Sequence, residues 1–146
     1  MRLLVLNLSV WIASGAVIGW WFARRDWQSL SPAGFCTRLR NWERRGFYER
    51  VLLVRRWKDR LPEAGTWFGG ISKRSLPTAS EGRLRRFAAE SLRAERVHLS
   101  FGLAILFTAT WNRGWWLVLC LAVCVVANLP CIVVARYNRL RLTHLA

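Results

Sequence analysis

Residues 99–135 read LSFGLAILFTATWNRGWWLVLCLAVCVVANLPCIVVA and contain a single charged residue, Arg113. A second run without charge covers residues 3–23. The hydrocarbon core of a bilayer, roughly 30 Å thick, takes about 20 apolar residues as helix, and both runs provide that length. The pattern predicts an all-α integral membrane protein with about three transmembrane helices.

The charges lie between these apolar runs. The chain of 146 residues carries 23 Lys and Arg against 8 Asp and Glu, a net charge of +15, although 53% of it is apolar. All eight acids and eighteen of the bases fall within residues 24–96. This composition excludes an average soluble domain, and a disordered chain would leave the tryptophans in water. It favours a basic segment next to membrane spans.

The predicted organisation is a single membrane domain over residues 1–146. Its parts are a first span at 3–23, a partly interfacial helical cytoplasmic segment at 24–96, a transmembrane hairpin at 97–135 and a cytoplasmic tail at 136–146. The polar break Asn112-Arg113-Gly114 divides the hairpin, because its glycine suits a tight turn. The shorter span of the hairpin, Leu99–Trp111, is expected either to tilt little or to extend into the preceding helix.

The first apolar run has an alternative interpretation as a cleaved signal peptide, with Ser14-Gly15-Ala16 as the cleavage site. The run continues through residues 17–22, which makes it longer than the apolar region of most signal peptides. A Gly-x-x-x-Gly spacing at Gly15 and Gly19 favours close approach of a second helix. We therefore interpret the run as a retained, packed helix.

The distribution of Lys and Arg predicts the orientation, because these residues are retained on the cytoplasmic side of a membrane. The expected protein is a multi-pass protein of the cell membrane, plasma or intracytoplasmic, with its N-terminus outside and its C-terminus in the cytoplasm. Topology and anionic headgroups account for the bases, so the lipid bilayer is the expected partner. The chain has no nucleic-acid-binding motif, and nucleic acid is not predicted as a partner.

Within the cytoplasmic segment, Arg38–Arg60 mixes arginines with aromatic and aliphatic residues. A helix lying in the headgroup plane has this composition. The alternative is an amphipathic helix that packs on its neighbours. After Pro62, the glycines at 69 and 70 and Pro77 predict loops until a new helix begins near Glu81.

The helix predicted from about Glu81 to His98 carries two polar residues on its packing face. At 100° per residue, one stripe contains Leu84, Phe87, Ala88, Ser91, Leu92, Glu95 and His98. Glu90 lies with the arginines on the other face, where surface pairing with Arg86 or Arg93 explains it. A carboxylate three residues from an imidazole can orient it as a general base. The alternative for Glu95 and His98 is a buried pair that only fixes helix docking.

The second polar anomaly is in the last apolar run, where Asn128 and Pro130 precede Arg136 and Arg139. A polar side chain at this depth usually faces protein or a cavity. Pro130 predicts a kink, and the arginines, taken singly, are explained as snorkelling anchors at the end of the helix.

Three blocks of sequence carry a family resemblance. They are Trp57-Lys-Asp-Arg-Leu-Pro-Glu63, Glu90-Ser-Leu-Arg-Ala-Glu-Arg-Val-His98 and Asn128-Leu-Pro-Cys-Ile-Val-Val-Ala-Arg-Tyr-Asn-Arg139. In this order they resemble the glycosyl-4,4'-diaponeurosporenoate acyltransferase family of staphyloxanthin-type carotenoid biosynthesis. The resemblance implies a membrane enzyme that esterifies a fatty acyl chain onto the sugar of a glycosylated carotenoid or related glycolipid.

The resemblance and the residue chemistry together suggest roles. The expected catalytic residues are His98 as base, Glu95 as its orienting partner, and Asn128 or Asn138 as oxyanion donor. The expected substrate-binding residues are Arg93, Arg136, Tyr137 and Arg139, the arginines facing an acyl-CoA or an acyl carrier protein as possible acyl donor. No bound cofactor is expected. A metal site is not predicted either, because Cys120, Cys124 and Cys131 lie on an apolar run without a Cys-x-x-Cys spacing.

A second function class stays open at this point. A tryptophan-rich membrane subunit without catalytic activity, packed in a larger pigment- or lipid-containing membrane protein complex, fits the same composition. Turnover by the purified chain distinguishes the two.

Overall fold

The computed structural model describes residues 1–26, 34–62 and 81–142. Three long helices dominate: α1 (Arg2–Ala23), α3 (Glu81–Phe107) and α4 (Gly114–Leu142). Between α1 and α3 lie a π-helical turn (Phe47–Val51), the short helix α2 (Val54–Trp57) and a 3₁₀ turn (Lys58–Arg60), and a second 3₁₀ turn (Thr108–Thr110) ends α3. All regular structure within these ranges is helical, which confirms the all-α prediction.

Two of the helices, α1 and α4, are long and apolar enough to cross a membrane. Both helices expose many apolar side chains; Ile12 and Val17 of α1 and Val126 of α4 each expose more than half of their surface. Soluble proteins rarely expose apolar faces of this extent. The length and the exposure of both helices therefore agree with the predicted first and last spans.

The predicted span Leu99–Trp111 is not a separate helix. Residues 99–107 form the second half of α3, whose first half, from Glu81, is rich in charge. No glycine or proline interrupts the chain between Glu81 and Leu99 except Gly82, so the helix propagates from the charged half into the apolar half. α3 does not have the apolar length of a span by itself. The expectation that this segment extends into the preceding helix is confirmed.

α3 packs against both of the other long helices. Gly15 of α1 faces α3, where a Cβ on this residue would lie 3.5 Å from the Phe101 ring. Gly102 faces α4, and a Cβ there would lie 3.7 Å from Sγ of Cys124. Small residues thus bring α3 close to its neighbours on either side, as the sequence predicted for Gly15.

Polar contacts fix the direction of each helix. Near the start of α1, Asn7 exchanges hydrogen bonds of 3.0 Å with Asn112, which lies between α3 and α4. Just beyond the end of α1, the carbonyl oxygen of Arg25 accepts a 2.9 Å hydrogen bond from Arg93 of α3. The three long helices therefore alternate in direction. The turn into α4 uses Gly114 with φ +54°, the left-handed conformation that the predicted tight turn requires.

The basic stretch Arg38–Arg60 does not form the long interfacial helix that was one prediction for it. It is irregular up to Arg44, and the helical turns already given follow. Tyr48 and Val54 are buried in one cluster with Tyr137 and Leu140 of α4. These residues therefore follow the alternative prediction, in which the segment packs on a neighbouring helix. The stretch is not one continuous helix because Leu53 adopts the left-handed conformation, φ +50°, between the π-helical turn and α2. Phe35 and Trp42 stay largely exposed.

Some expectations fall on residues that the structure does not describe. The loops predicted at Gly69, Gly70 and Pro77 lie outside the described ranges, as does Glu63, the last residue of the first resemblance block.

Candidate functional site

His98 on α3 faces Asn128 on α4. Nδ1 of His98 lies 3.2 Å from Oδ1 of Asn128, and Nδ2 of Asn128 donates a 2.9 Å hydrogen bond to the carbonyl oxygen of Cys124. Because that carbonyl can only accept, it orients the Asn128 amide with its oxygen towards the imidazole. Nδ1 of His98 must then carry the proton, which leaves the lone pair of the neutral imidazole on Nε2.

The close contact of α3 and α4 supports this pair from one side. Gly102, one helical turn after His98, accepts a 3.5 Å hydrogen bond from Sγ of Cys124 through its carbonyl oxygen. Asn128 is almost fully buried, whereas His98 is partly exposed. The imidazole therefore sits on a rigid contact between two helices and still reaches the surface.

One turn before His98, the buried carboxylate of Glu95 receives two arginines from α4. Nη1 of Arg136 donates to Oε1, and Nη1 of Arg139 donates to Oε2. Glu95 has no exposed surface, and both arginines are mostly buried. A buried carboxylate is stable only with such compensation, so this contact ties α3 to the end of α4.

Arg136 extends the ion pair to a second acid. Its Nε donates to Oε2 of Glu43 at 2.7 Å, and a second nitrogen, Nη2, donates to Oε1 of Glu43. The same guanidinium donates to the carbonyl oxygens of Cys36 at 3.2 Å and Arg38 at 2.9 Å, and Arg139 donates to that of Thr37 at 2.8 Å. The segment around residues 36–43 therefore wraps the two arginines.

We call Glu43, Glu95, Arg136 and Arg139 the ion cluster; its formal charges sum to zero. Burial by itself would raise the pKa of Glu43, but the hydrogen bonds from Arg136, Tyr48 and the backbone N–H of Arg40 outweigh it and lower the pKa to about 2. Burial and the 2.6 Å hydrogen bond that it donates to Glu43 raise the pKa of Tyr48. Glu43 is therefore charged and Tyr48 neutral at neutral pH, whereas burial raises the pKa of Glu95 and the two arginines offset only part of that rise.

Several predicted site residues come together and others do not. The Glu95 stripe faces the Asn128–Arg139 region of α4. Asn138 is buried, but ten residues of helix place it about 15 Å along α4 from Asn128, at the other end of the site from His98. Asn138 therefore lies too far along the helix for an oxyanion that forms next to His98.

The predicted substrate-binding residues are mostly committed to protein contacts. Arg136 and Arg139 belong to the ion cluster. Arg93 pairs with Glu90 at 3.0 Å, and this pair is buried rather than on the surface, because Arg93 also binds the end of α1. Tyr137 donates a 2.8 Å hydrogen bond to Glu49 and stacks on Tyr48. Their roles towards a substrate stay predictions.

Two residues with a structural role, Glu43 and Asn7, were not predicted from the sequence. Glu43 was overlooked, although an acid within a strongly basic stretch is a candidate partner for buried arginines. Asn7, in an otherwise apolar run, was overlooked too; it accepts from Trp111 as well as Asn112 and lies 3.8 Å from Sγ of Cys120. In both cases the available signal was a side chain that differs in character from its neighbours in the sequence, an acid among bases or an amide among apolar residues.

The described residues include no group of three His, Cys, Asp or Glu side chains arranged to hold a metal ion. The four cysteines are free thiols, and Cys120 is buried against Asn7. The acid–base chemistry available around Asn128 therefore comes from His98.

Comparison with known proteins identifies one family. The sequence model of the glycosyl-4,4'-diaponeurosporenoate acyltransferase family matches residues 19–146. Proteins of that name from Staphylococcus aureus strains bovine RF122 / ET3-1, N315 and USA300 are each 33% identical to this chain over 109 residues. The match covers 72% of this chain and 64% of each relative, so the chain spans less than two thirds of their length. No solved structure matches it.

Proposed function

Because the chain belongs to the glycosyl-4,4'-diaponeurosporenoate acyltransferase family, we propose that it is a membrane O-acyltransferase. Its acceptor is the sugar hydroxyl of a glycosylated carotenoid or a related glycolipid. Its donor is a fatty acyl thioester, either acyl-CoA or acyl carrier protein. The family match supports acyl transfer, and the exposed apolar faces of α1 and α4 support lipidic substrates.

One observation carries the catalytic part of the proposal, the orientation of the His98 ring by Asn128. Nε2 of the neutral imidazole takes the proton of the sugar hydroxyl, and the hydroxyl oxygen attacks the acyl carbonyl. An ester C–O bond forms as the thioester C–S bond breaks. The imidazolium returns its proton to the leaving thiolate, so the ring ends neutral.

Asn128 is the positioning residue in this scheme, in the role predicted for Glu95. It fixes the tautomer of His98 as the third member of a catalytic triad does. Glu95 acts at longer range, because the ion cluster that it forms fixes α3 against α4 and so holds His98 opposite Asn128.

We propose that three helical passes cross the membrane, α1, the apolar half of α3 and α4. The layer of Asn7 and Asn112 is separated from the end of α1, next to the contact of Arg25 with Arg93, by 16 residues of helix, about 24 Å. This is close to the roughly 30 Å core of a bilayer. His98 then lies near one membrane surface, where a sugar on an apolar tail also lies.

Cysteine labelling tests this topology. Arg113 is exposed at the turn before α4, and Arg60 is exposed after α2. In a variant without native cysteines, a membrane-impermeant maleimide should label Arg113→Cys from outside intact cells and should not label Arg60→Cys. The reverse labelling contradicts the proposed orientation.

The function itself is tested by product analysis. The purified chain, reconstituted in lipid with a glycosylated carotenoid and an acyl-CoA, should form a product heavier than the acceptor by one acyl group less one hydrogen. Acyl carrier protein is the donor in a parallel reaction. Absence of product with both donors, from protein that is folded and found at fixed stoichiometry in a complex, favours the non-catalytic subunit instead.

A further inference from the structure

A basic cleft lies outside the candidate catalytic site. Its volume is about 310 Å³, and its lining side chains come from three parts of the chain. They are Arg45 before the π-helical turn, Arg55, Lys58 and Asp59 of α2 and its 3₁₀ turn, and Tyr137 and Arg141 of α4. Four of these six side chains are cationic and one is anionic. The volume is sufficient for a small polar ligand.

The carboxylates near the cleft neutralise only some of these cations. Arg45 binds Glu49 at 2.8 Å, and Lys58 pairs with Asp59. Arg55 and Arg141 form no salt bridge with a carboxylate in the ranges 1–26, 34–62 and 81–142; the guanidinium of Arg141 lies 5.7 Å from the centre of the Tyr137 ring. Within the described ranges, two guanidinium groups that form no salt bridge therefore face one cleft, and Glu49, which binds Arg45 directly, attracts Arg55 only at longer range.

The fold holds the positive charges of Arg55 and Arg141 in one cleft, which is electrostatically unfavourable. Tyr137 packs in the apolar cluster with Tyr48 and Val54, which fixes α2 against the end of α4 and brings Arg55 to the same cleft as Arg141. Like charges that are held close repel each other, and a bound anion removes that repulsion. Guanidinium groups match the oxygens of a phosphate in charge and in geometry.

We propose that this cleft binds a phosphate group, with Arg55 and Arg141 as its principal ligands. It is separate from the ion cluster, because Tyr137 and Arg141 lie on a different face of α4 from Arg136 and Arg139. The phosphate has two possible sources. One is a soluble phosphorylated group, such as the nucleotide of an acyl-CoA. The other is the headgroup of an anionic phospholipid, because the cleft lies at the C-terminal end of α4, where the proposed span meets the headgroups. The proposal does not depend on acyl transfer.

Direct binding to the full chain in a non-ionic detergent tests the proposal. One arm uses adenosine 3',5'-bisphosphate and the other uses short-chain phosphatidylglycerol, each measured by calorimetry at low and at physiological salt. We expect at least one probe to bind, more weakly at the higher salt. Binding of the nucleotide indicates the soluble source, and binding of the lipid alone indicates the headgroup.

Matched variants distinguish a specific phosphate-binding site from nonspecific attraction of an anion to a basic protein. Arg55→Gln and Arg141→Gln should each lower the affinity on the order of tenfold or more, the loss of a charged hydrogen bond. Arg50→Gln is the control, since Arg50 is an exposed arginine of the adjacent turn that does not line the cleft. Equal losses in all three variants, or no binding of either probe, would overturn the proposal. Because no turnover is measured, failure of the acyltransferase proposal leaves this result unaffected.

Discussion

Oδ1 of Asn128 lies 3.2 Å from Nδ1 of His98, and the amide that carries it is held on its other side by the carbonyl oxygen of Cys124. This relationship gives the imidazole a defined tautomer on a contact between two helices. Neither residue by itself predicts an oriented imidazole, because a single histidine or asparagine is only a polar residue at a helix interface.

Replacement of Asn128 should impair catalysis through His98. Asn128→Leu removes the group that orients the ring, and we expect turnover to fall by about 10- to 100-fold. Asn128→Asp places a carboxylate beside Nδ1, which favours the imidazolium and should raise the pKa seen in the pH dependence of turnover. Asn7→Leu, a buried asparagine at the other end of the bundle, is the control. An unchanged pH profile in Asn128→Asp would argue against a positioning role.

Glu95 should be required for stability. Glu95→Leu leaves Arg139 without its carboxylate partner and deprives Arg136 of one of two, and loss of one partner of a buried ion pair costs about 3–5 kcal/mol. The free energy of unfolding, measured with denaturant in detergent, checks this. Glu81→Gln is the matched control, because Glu81 pairs with Arg85 on the surface with about three quarters of each side chain exposed. We expect that control to change stability by less than about 1 kcal/mol. Equal effects of the two variants would contradict the buried character of the ion cluster.

Glu43 should make stability depend on pH in the acidic range. Its pKa is about 2 in the fold and 4.5 in an unperturbed glutamate. Because the folded pKa is the lower one, the stabilisation is complete above the unfolded value and is lost as the pH falls towards 2. The full contribution is about 3 kcal/mol.

The difference in unfolding free energy between the wild type and Glu43→Gln measures this contribution. It should narrow by roughly 2 kcal/mol from about pH 6 to about pH 3. A difference that stays constant across this range would mean that Glu43 does not titrate with the lowered pKa that its contacts with Arg136 and Tyr48 produce.

The cluster around Asn7 should stabilise the other end of the bundle. Asn7→Leu removes the partner of Asn112 and Trp111 and leaves their amide and indole groups in apolar surroundings, which should cost about 1–3 kcal/mol. Ser9→Leu, a substitution on the exposed side of the same helix, should change stability by less than about 0.5 kcal/mol. Thermal unfolding in detergent compares them. A greater loss of stability in Ser9→Leu than in Asn7→Leu would show that residue 9 is the buried position and residue 7 the exposed one.

Much of the fold follows from patterns that the sequence displays directly. Helical periodicity predicted the buried stripe of α3, and Phe87, Ser91, Leu92 and Glu95 are buried as expected. The glycine turn at Gly114 and the approach of α1 at Gly15 followed from residue chemistry. These features are local or depend on one helix face, so a single stretch of residues determines each of them.

Partners that are distant in the chain could not be assigned in this way. The sequence paired Glu95 with His98 because they are three residues apart, whereas the structure shows Glu95 bound by arginines more than forty residues away. Glu43 reaches one of these arginines, Arg136, across 93 residues. Long arginine side chains permit many partners, and only the packing of α3 on α4 and of residues 36–43 over both selects among them.

The most direct test of the account is the turnover of His98→Ala in reconstituted protein. If Nε2 of His98 is the general base, turnover should fall by on the order of 10²–10⁴-fold while the unfolding free energy changes little. His98→Gln, which keeps a polar side chain next to Asn128 but cannot act as a base, should lose activity to a similar extent. Normal turnover by either well-folded variant would contradict the assignment and leave His98 as a packing residue between α3 and α4.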